Sequence, residues 1–515
     1  MAETRALRDH ERLRYLLLLS VFVIATCGLI YELIAGTLAS YLLGDSVTQF
    51  STIIGTYLFA MGIGSWLSQH IQRDLLAVFV RIEILVGLVG GFSAVILFML
   101  FDHVALFRLP LYGLVLAVGI LVGIEIPLLL RILKDEFAFK DLVARVFTFD
   151  YIGALFAALL FPLLLVPHLG LIRTGLLFGM MNVGVALWLI AFCRQQAPKL
   201  RLQQASAILA LIVLVFGFVY SGQLLQFAES SAFPDTVIHA QSTPYQRIVL
   251  TKAPHDLRLF LNNNLQFSSR DEYRYHEALV HPGLASLTVP KQVLILGGGD
   301  GLAAREILKY PSVEHIQLVD LDPAMTKLFA SNPMLTELNH GALASSKLSI
   351  TNADAFLWLK ENEVSLKDKF DFVVVDFPDP SSLAIGKLYS ITFFKLLFST
   401  VQPDGAVVVQ STSPFVARKS FWCIANTLDA AGFVTAPYHA YVPSFGEWGF
   451  VLASKRPYQP AQHYPDGLRF VTPPTVAAMF QFPPDMVREP TPVNRLDNQV
   501  LVHYFDEEWG DYSAH

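Results

Sequence analysis

Seven apolar runs, each about the twenty residues that a helix needs to cross a hydrocarbon bilayer, fill most of the first 230 positions: 15–36, 48–68, 77–101, 111–133, 147–167, 174–193 and 205–227. A water-soluble core cannot absorb that much apolar chain, so residues 1–230 read as a multi-pass α-helical membrane domain of about seven spans, with the lipid bilayer as partner. Composition agrees. The 515 residues are 54% hydrophobic and 16% charged, where soluble domains carry roughly a quarter charged residues. The first run is not a signal peptide, because it is long, lacks an evident cleavage site and is followed by further spans. Arg5, Arg8, Arg12 and Arg14 precede the first run, Arg73 follows the second, Lys134, Lys140 and Arg145 the fourth, and Arg194, Lys199 and Arg201 the sixth. Basic residues in alternate connections place the N-terminus in the cytoplasm.

Glu32, Glu83 and Glu125 fall inside these spans, where an ionisable group is costly and normally faces a partner or a water-filled path. Bracing by Tyr31, Arg81 or Asn182 is favoured over a cation pathway, since no inverted repeat or pair of broken helices is visible. Gly62 with Gly64, and Gly87 with Gly91, fit close helix packing.

After Phe227 the pattern changes to short, turn-punctuated segments. Thr236 to Ile238, Gln246 to Leu250 and Leu257 to Leu261, the last followed by three asparagines, read as a small antiparallel β-unit over 231–285. From 286 to 455 strands alternate with helices, the mark of an α/β Rossmann-like domain with a parallel sheet, the fold of S-adenosylmethionine-dependent methyltransferases. Its first strand, Val293 to Leu296, runs into Gly297-Gly298-Gly299-Asp300-Gly301. Glycines let a ligand approach the backbone, and the acid indicates positive charge there rather than phosphate, which suits a sulfonium nucleoside. A second strand ends in Asp320, about twenty residues on, where such folds hold ribose hydroxyls. A third ends near Asp354. A fourth, Phe370 to Val375, runs into Asp376-Phe377-Pro378-Asp379-Pro380, where proline ends the ladder and leaves two carboxylates at the sheet's carboxyl edge. Taken singly, Asp354 reads as a helix cap and Asp379 as a turn former.

These residues resemble the spermidine synthase (polyamine aminopropyltransferase) family, in its membrane-bound bacterial branch. The resemblance covers about 230–455 and rests, in order, on Tyr245-Gln246, Gln266, Asp271-Glu272, Tyr275-His276-Glu277, Gly297 to Gly301, and Asp376 with Asp379-Pro380. It implies a membrane-tethered transferase that moves the aminopropyl group of decarboxylated S-adenosylmethionine, a co-substrate rather than a permanently bound cofactor, to putrescine or a related amine, releasing methylthioadenosine. Asp376 would be the base or orienting group. Asp379 would grip the acceptor, Asp300 and Gln246 the aminopropyl arm, Asp320 the ribose and Asp354 the adenine amino group, with Gly297, Gly299 and Gly301 forming the nucleoside turn. Tyr275 and His276 would line the join of donor and acceptor, and Gln266 would bind substrate. A homodimer or higher homo-oligomer is the expected assembly.

Phe377 and Pro378 depart from the family's usual serines, and Glu447-Trp448 from its later loop; a bulkier, more acidic acceptor pocket follows if Phe377, Glu447 and Trp448 face the site. A methyltransferase on the same fold and a polyamine transporter or sensor with a binding-only soluble half are the competing readings. The net charge of −6 argues against nucleic acid as a partner, three scattered cysteines suggest no disulfide framework, and the histidines lack metal-ligand spacing. Adenosyl sulfonium compounds are cytosolic, so the catalytic half is expected in the cytosol. Seven spans from a cytoplasmic N-terminus would put it outside. Residues 456–515 read as an extended segment packed on the domain.

Overall fold

The computed structural model describes residues 2–43, 46–101, 107–134, 139–192, 201–223, 233 and 235–513. The chain divides into two compact units, Met1–Pro234 and Asp235–His515.

The regular elements described in the first unit are helices: α1 (Ala2–Leu43), α2 (Ser46–Ser68), α3 (Leu75–Phe101), α4 (Arg108–Leu133), α5 (Phe139–Leu160), a π-helical turn at Phe161–Leu165, α6 (Val166–Phe192) and α7 (Arg201–Val219). Among the described residues six continuous stretches are long and apolar enough to cross a membrane, the fifth being 53 residues long at 140–192. That stretch doubles back. Thr26 Oγ1 donates to Gly153 O at 3.3 Å and the neighbouring Cys27 Sγ lies 3.6 Å from Phe178 O, so Gly153 and Phe178 flank the same level of α1. Along a straight helix those two residues would stand about 38 Å apart. The reversal lies between them, where the π-helical turn and Gly170, at φ 72°, interrupt the helix. Glycine packing holds the bundle: a Cβ on Gly64 would meet Ile120 O at 2.1 Å, and one on Gly87 would meet Gly179 O at 2.8 Å. Gly91 packs likewise, whereas Gly62 faces open space, so its part in the expected packing motif does not hold.

The second unit opens with four antiparallel strands, β1 (Thr236–Ser242), β2 (Arg247–Ala253), β3 (Asp256–Leu261) and β4 (Asn264–Ser268). Asn262 and Asn263, both at positive φ, form the two-residue turn between β3 and β4, as a type I′ hairpin requires. A helix, α8 (Glu272–Leu284), leads into the main sheet: β5 (Gln292–Gly297), β6 (His315–Asp320), β7 (Leu348–Asn352), β8 (Phe370–Asp376), β9 (Val401–Gln410), β10 (Val434–Val442) and β11 (Gly446–Ser454). The order is β10-β11-β9-β8-β5-β6-β7. The five strands from β9 to β7 are parallel, while β11 pairs antiparallel with β9 and β10 antiparallel with β11, so the expected parallel sheet is in fact mixed. In β8, Phe372 and Val374 enter one core and Val373 and Val375 the other, which explains its unbroken apolar run. Strand order reverses between β5 and β8, the switch point where open α/β sheets bind ligands.

Residues 456–513 are less extended than expected. They contain α9 (Pro473–Met479) and α10 (Val500–Ser513); Val476 and Met479 join one core and Leu501 the other. Buried Asn494 donates to Gly386 O at 3.0 Å and accepts from Leu501 N at 3.4 Å.

Candidate active site

The turn after β5 is pressed between two acids. Gly297 pairs with Asp376 in the parallel ladder, and Gly297, Gly298 and Gly301 all have positive φ. A Cβ on Gly297 would lie 2.2 Å from Asp376 O, and one on Gly299 2.6 Å from Asp320 Oδ2. Only glycine fits there. Asp320 accepts from Gly299 N at 3.1 Å and from Asp322 N at 2.9 Å; burial pushes its carboxyl up to about 6 against these two bonds. Asp300 is 9% exposed, accepts from Leu302 N at 2.9 Å and is likewise raised by burial.

Asp376 ends β8 and is half-buried. Its Oδ1 accepts from the Tyr275 hydroxyl at 2.6 Å, and its Oδ2 overlies Gly298, 3.4 Å from where a Cβ would stand. Burial lifts its carboxyl to about 6, with His276 pulling down and Asp300 pushing up. Tyr275 and His276 ride on α8 beside this edge. Burial of the His276 imidazole works against its charge, but Nδ1 meets Glu272 Oε2 at 2.9 Å and the balance raises its pKa. Glu272 in turn takes two bonds of 2.9 Å from Arg305. Arg305 donates to Glu306 at 2.9 Å, and Glu306 meets His281 at 2.8 Å. This buried chain of paired charges fixes α8, and with it Tyr275, against the helix that follows the glycine turn.

Asp379 is held differently. Burial pushes it up to about 7, opposed by hydrogen bonds from Gln410 and Thr412. Gln410, at the end of β9, donates to Phe377 O at 2.7 Å, to Asp379 Oδ1 at 3.2 Å and accepts from Trp448 Nε1 at 3.2 Å. Thr412 is fully buried at φ 55°, a conformation that costs a β-branched residue on the order of 1–3 kcal/mol and that clusters at functional sites. Its hydroxyl accepts from Trp509 Nε1 of α10 at 3.3 Å, which leaves its single proton for Asp379. Gln410, Thr412 and Trp509 carry no motif and escaped the sequence reading. The run Gln410-Ser411-Thr412 just beyond an apolar strand was the one available signal.

Other expected residues fall as follows. Gln246 donates to Asp322 Oδ2 at 3.0 Å and so ties the small β-unit to the loop after β6. Gln266 bonds Asn264 O of its own strand at 3.2 Å. Asp354 caps the next helix through Phe356 N and Leu357 N, as its local context suggested, and its second oxygen binds Lys387 at 2.6 Å. The expected acceptor-pocket set is corrected. Glu447 and Trp448 are adjacent on β11 and point to opposite faces: Glu447 pairs with His439, which packs on Phe482, while Trp448 packs with Phe445 on the Tyr275 side. Phe377 is buried against Tyr389 and Phe393 in the opposite core.

Residues 272–463 match the spermine/spermidine synthase domain. The chain is 52% identical to the polyamine aminopropyltransferase of Leptospira interrogans over 96% of its own length and 98% of that relative. The chain belongs to the polyamine aminopropyltransferase family. It is therefore a transferase. Polyamine aminopropyltransferase 2 of Ralstonia nicotianae is 54% identical over 96% of this chain and 98% of that one, so this aminopropyltransferase shares its helical half with its relatives as well as its catalytic half. The crystal structure of spermidine synthase from Thermotoga maritima is similar at 24% identity and a TM-score of 0.44, covering 48% of this chain and 84% of that one.

Proposed function

We propose that this aminopropyltransferase is tethered to the cell membrane by its helical unit and moves the aminopropyl group of decarboxylated S-adenosylmethionine to putrescine or a related amine. The observation that carries the reading is the placing of Asp376 over the glycine turn with Asp379 three residues on. A dicationic acceptor and a sulfonium donor both need counter-charge, and four acids at one sheet edge supply it. Gly297, Gly299 and Gly301 admit the nucleoside, Asp320 takes the ribose, and Asp300 with Gln246 serves the aminopropyl arm. Asp354 would share its Lys387-bound oxygen with the adenine amino group. Tyr275 and His276 line the join, and Gln266 binds substrate.

The amine must lose a proton before its lone pair attacks the carbon beside sulfur; the C–N bond forms as the C–S bond breaks, its electron pair goes to sulfur, and neutral methylthioadenosine leaves. An alkylamine near pKa 10.4 and a carboxyl near 6 differ by about four units, or about 6 kcal/mol. Asp376 therefore acts as much by orienting the amine as by taking its proton. A methyltransferase needs no acidic grip beside the donor's alkyl group, so the pair Asp376 and Asp379 favours aminopropyl transfer. Purified full-length protein incubated with the donor and a panel of diamines should yield a product heavier by one aminopropyl group. Methylation from S-adenosylmethionine, or binding without turnover, would overturn the reading.

We further propose a homodimer or higher homo-oligomer, and a cytoplasmic catalytic unit, supported by the cytosolic supply of the donor. Seven crossings from a cytoplasmic N-terminus argue for the opposite face. Protease accessibility of residues 235–513 in sealed vesicles of known orientation decides between them.

A further inference from the structure

Glu83 of α3 and Glu125 of α4 are 0% and 1% exposed. None of their four carboxyl oxygens has a hydrogen-bond partner among the described residues. Glu83 lies close enough to act electrostatically on Glu125, and Cys27 and Tyr31 of α1 fall within reach of both. Tyr31 packs its ring over Gly90, where a Cβ would stand 2.8 Å away, and its hydroxyl is unpartnered. Asn182 of α6 packs beside Gly87, one turn from Glu83, at 3.4 Å from a Cβ there. Asn182 is fully buried, and both its amide nitrogen and its amide oxygen lack partners. The bracing expected from sequence is therefore not made: the side-chain polar atoms of Tyr31 and Asn182 have no partner among the described residues, and Arg81 is exposed.

Four helices thus bury unsatisfied polar atoms within one apolar core. A buried carboxylate without a counter-ion is not sustainable. Protonation would remove the charge but leave the acceptors, and each unsatisfied buried group costs about 1–3 kcal/mol. Counting two oxygens on each glutamate, one hydroxyl and one amide oxygen gives six oxygen donors. Hard cations take oxygen shells of six to eight ligands, so a cation removes both the charge and the acceptor deficit.

We propose that Glu83, Glu125, Asn182 and Tyr31 form a binding site for a small hard cation, an alkali or alkaline-earth ion, inside the helical unit. The site is separate from the aminopropyl-transfer residues, so its failure and theirs are distinguishable.

The test uses the full chain purified in detergent. Thermal unfolding is followed in choline chloride, with sodium, potassium, calcium or spermidine added at constant ionic strength. One inorganic cation should raise the midpoint saturably, by about 5 °C at a hundredfold excess over its Kd, and the radiolabelled ion should bind near one per chain. Glu83→Gln and Glu125→Gln should abolish the shift, and Tyr31→Phe should weaken binding several-fold, with aminopropyl transfer unchanged in all three. Wild-type protein that gains nothing from any inorganic cation overturns the site whether or not the variants fold, and so does a response to spermidine alone.

Discussion

Buried carboxylates occur in both units, and their surroundings differ. At the sheet edge Asp376 has Tyr275, Asp379 has Gln410 and Thr412, Asp320 has two backbone amides and Asp300 has one. In the helical bundle Glu83 and Glu125 have no hydrogen-bond partner among the described residues. Burial raises the cost of charge in both places. Only the catalytic unit offsets that cost in part with its own donors, leaving acids that are aimed and still ionisable near neutral pH. A site for a transient cationic substrate needs this arrangement, because the acids must survive when the pocket is free. The bundle instead leaves the deficit to whatever occupies it.

The contrast can be broken in graded steps. Asp376→Asn should lower kcat a hundred- to ten-thousandfold, the range of a positioned acid–base group, with donor affinity by equilibrium binding largely intact; lost donor binding would show that Asp376 serves the nucleoside instead. Gly299→Ala forces a methyl group against Asp320 and should weaken donor binding ten- to a hundredfold, as about 1–3 kcal/mol of overpacking implies, with acceptor KM little changed.

Titration gives a subtler break. Asp320, Asp376 and Asp379 have folded pKa values of about 6, 6 and 7 against 3.8 ordinarily, so the folded state holds their protons more tightly than the unfolded chain. Their contribution to stability is therefore greatest below about pH 4 and is lost as pH rises to about 7. Glu272, lowered to about 2 by His276 and Arg305 despite its burial, acts in the opposite sense and in a lower window, losing its contribution as pH falls below 4.5. The unfolding midpoint of the ligand-free enzyme should thus fall between pH 5 and 7, while kcat/KM for the amine rises over the same interval as the grip becomes charged. Asp379→Asn should remove the part of that rise nearest pH 7; an unchanged profile would place the titration elsewhere. The smallest effect is expected from Trp509→Phe, which keeps the packing and deletes the donor to Thr412. One neutral hydrogen bond is worth about 0.5–1.5 kcal/mol, so acceptor KM should rise about two- to tenfold at nearly constant kcat, with donor KM unmoved.

Much of this was legible in advance because it rests on local rules. Asn262-Asn263 announced a tight hairpin and the unbroken run 370–375 a strand buried on both faces, whereas the glycine turn was read for a ligand and is pressed in the structure by Asp320 and Asp376. The failures share a cause. Glu447 and Trp448 were expected to shape one pocket only if both face the site, yet alternation along β11 sends them to opposite faces, and which face adjoins the site depends on β11 running antiparallel to β9. Trp509 lies 97 residues from Thr412, and no local pattern links them.

The sequence alone determined the division into an apolar helical half and an α/β half, and the order of acids along the strand ends, because periodicity, glycine spacing and chain-breaking prolines act within a few residues. Tertiary structure alone decided which donors meet each acid, that α10 reaches the loop after β9, and that Glu83 and Glu125 share a core without partners. Those outcomes depend on which distant segments pack together, and packing selects among arrangements that the local pattern leaves equally open.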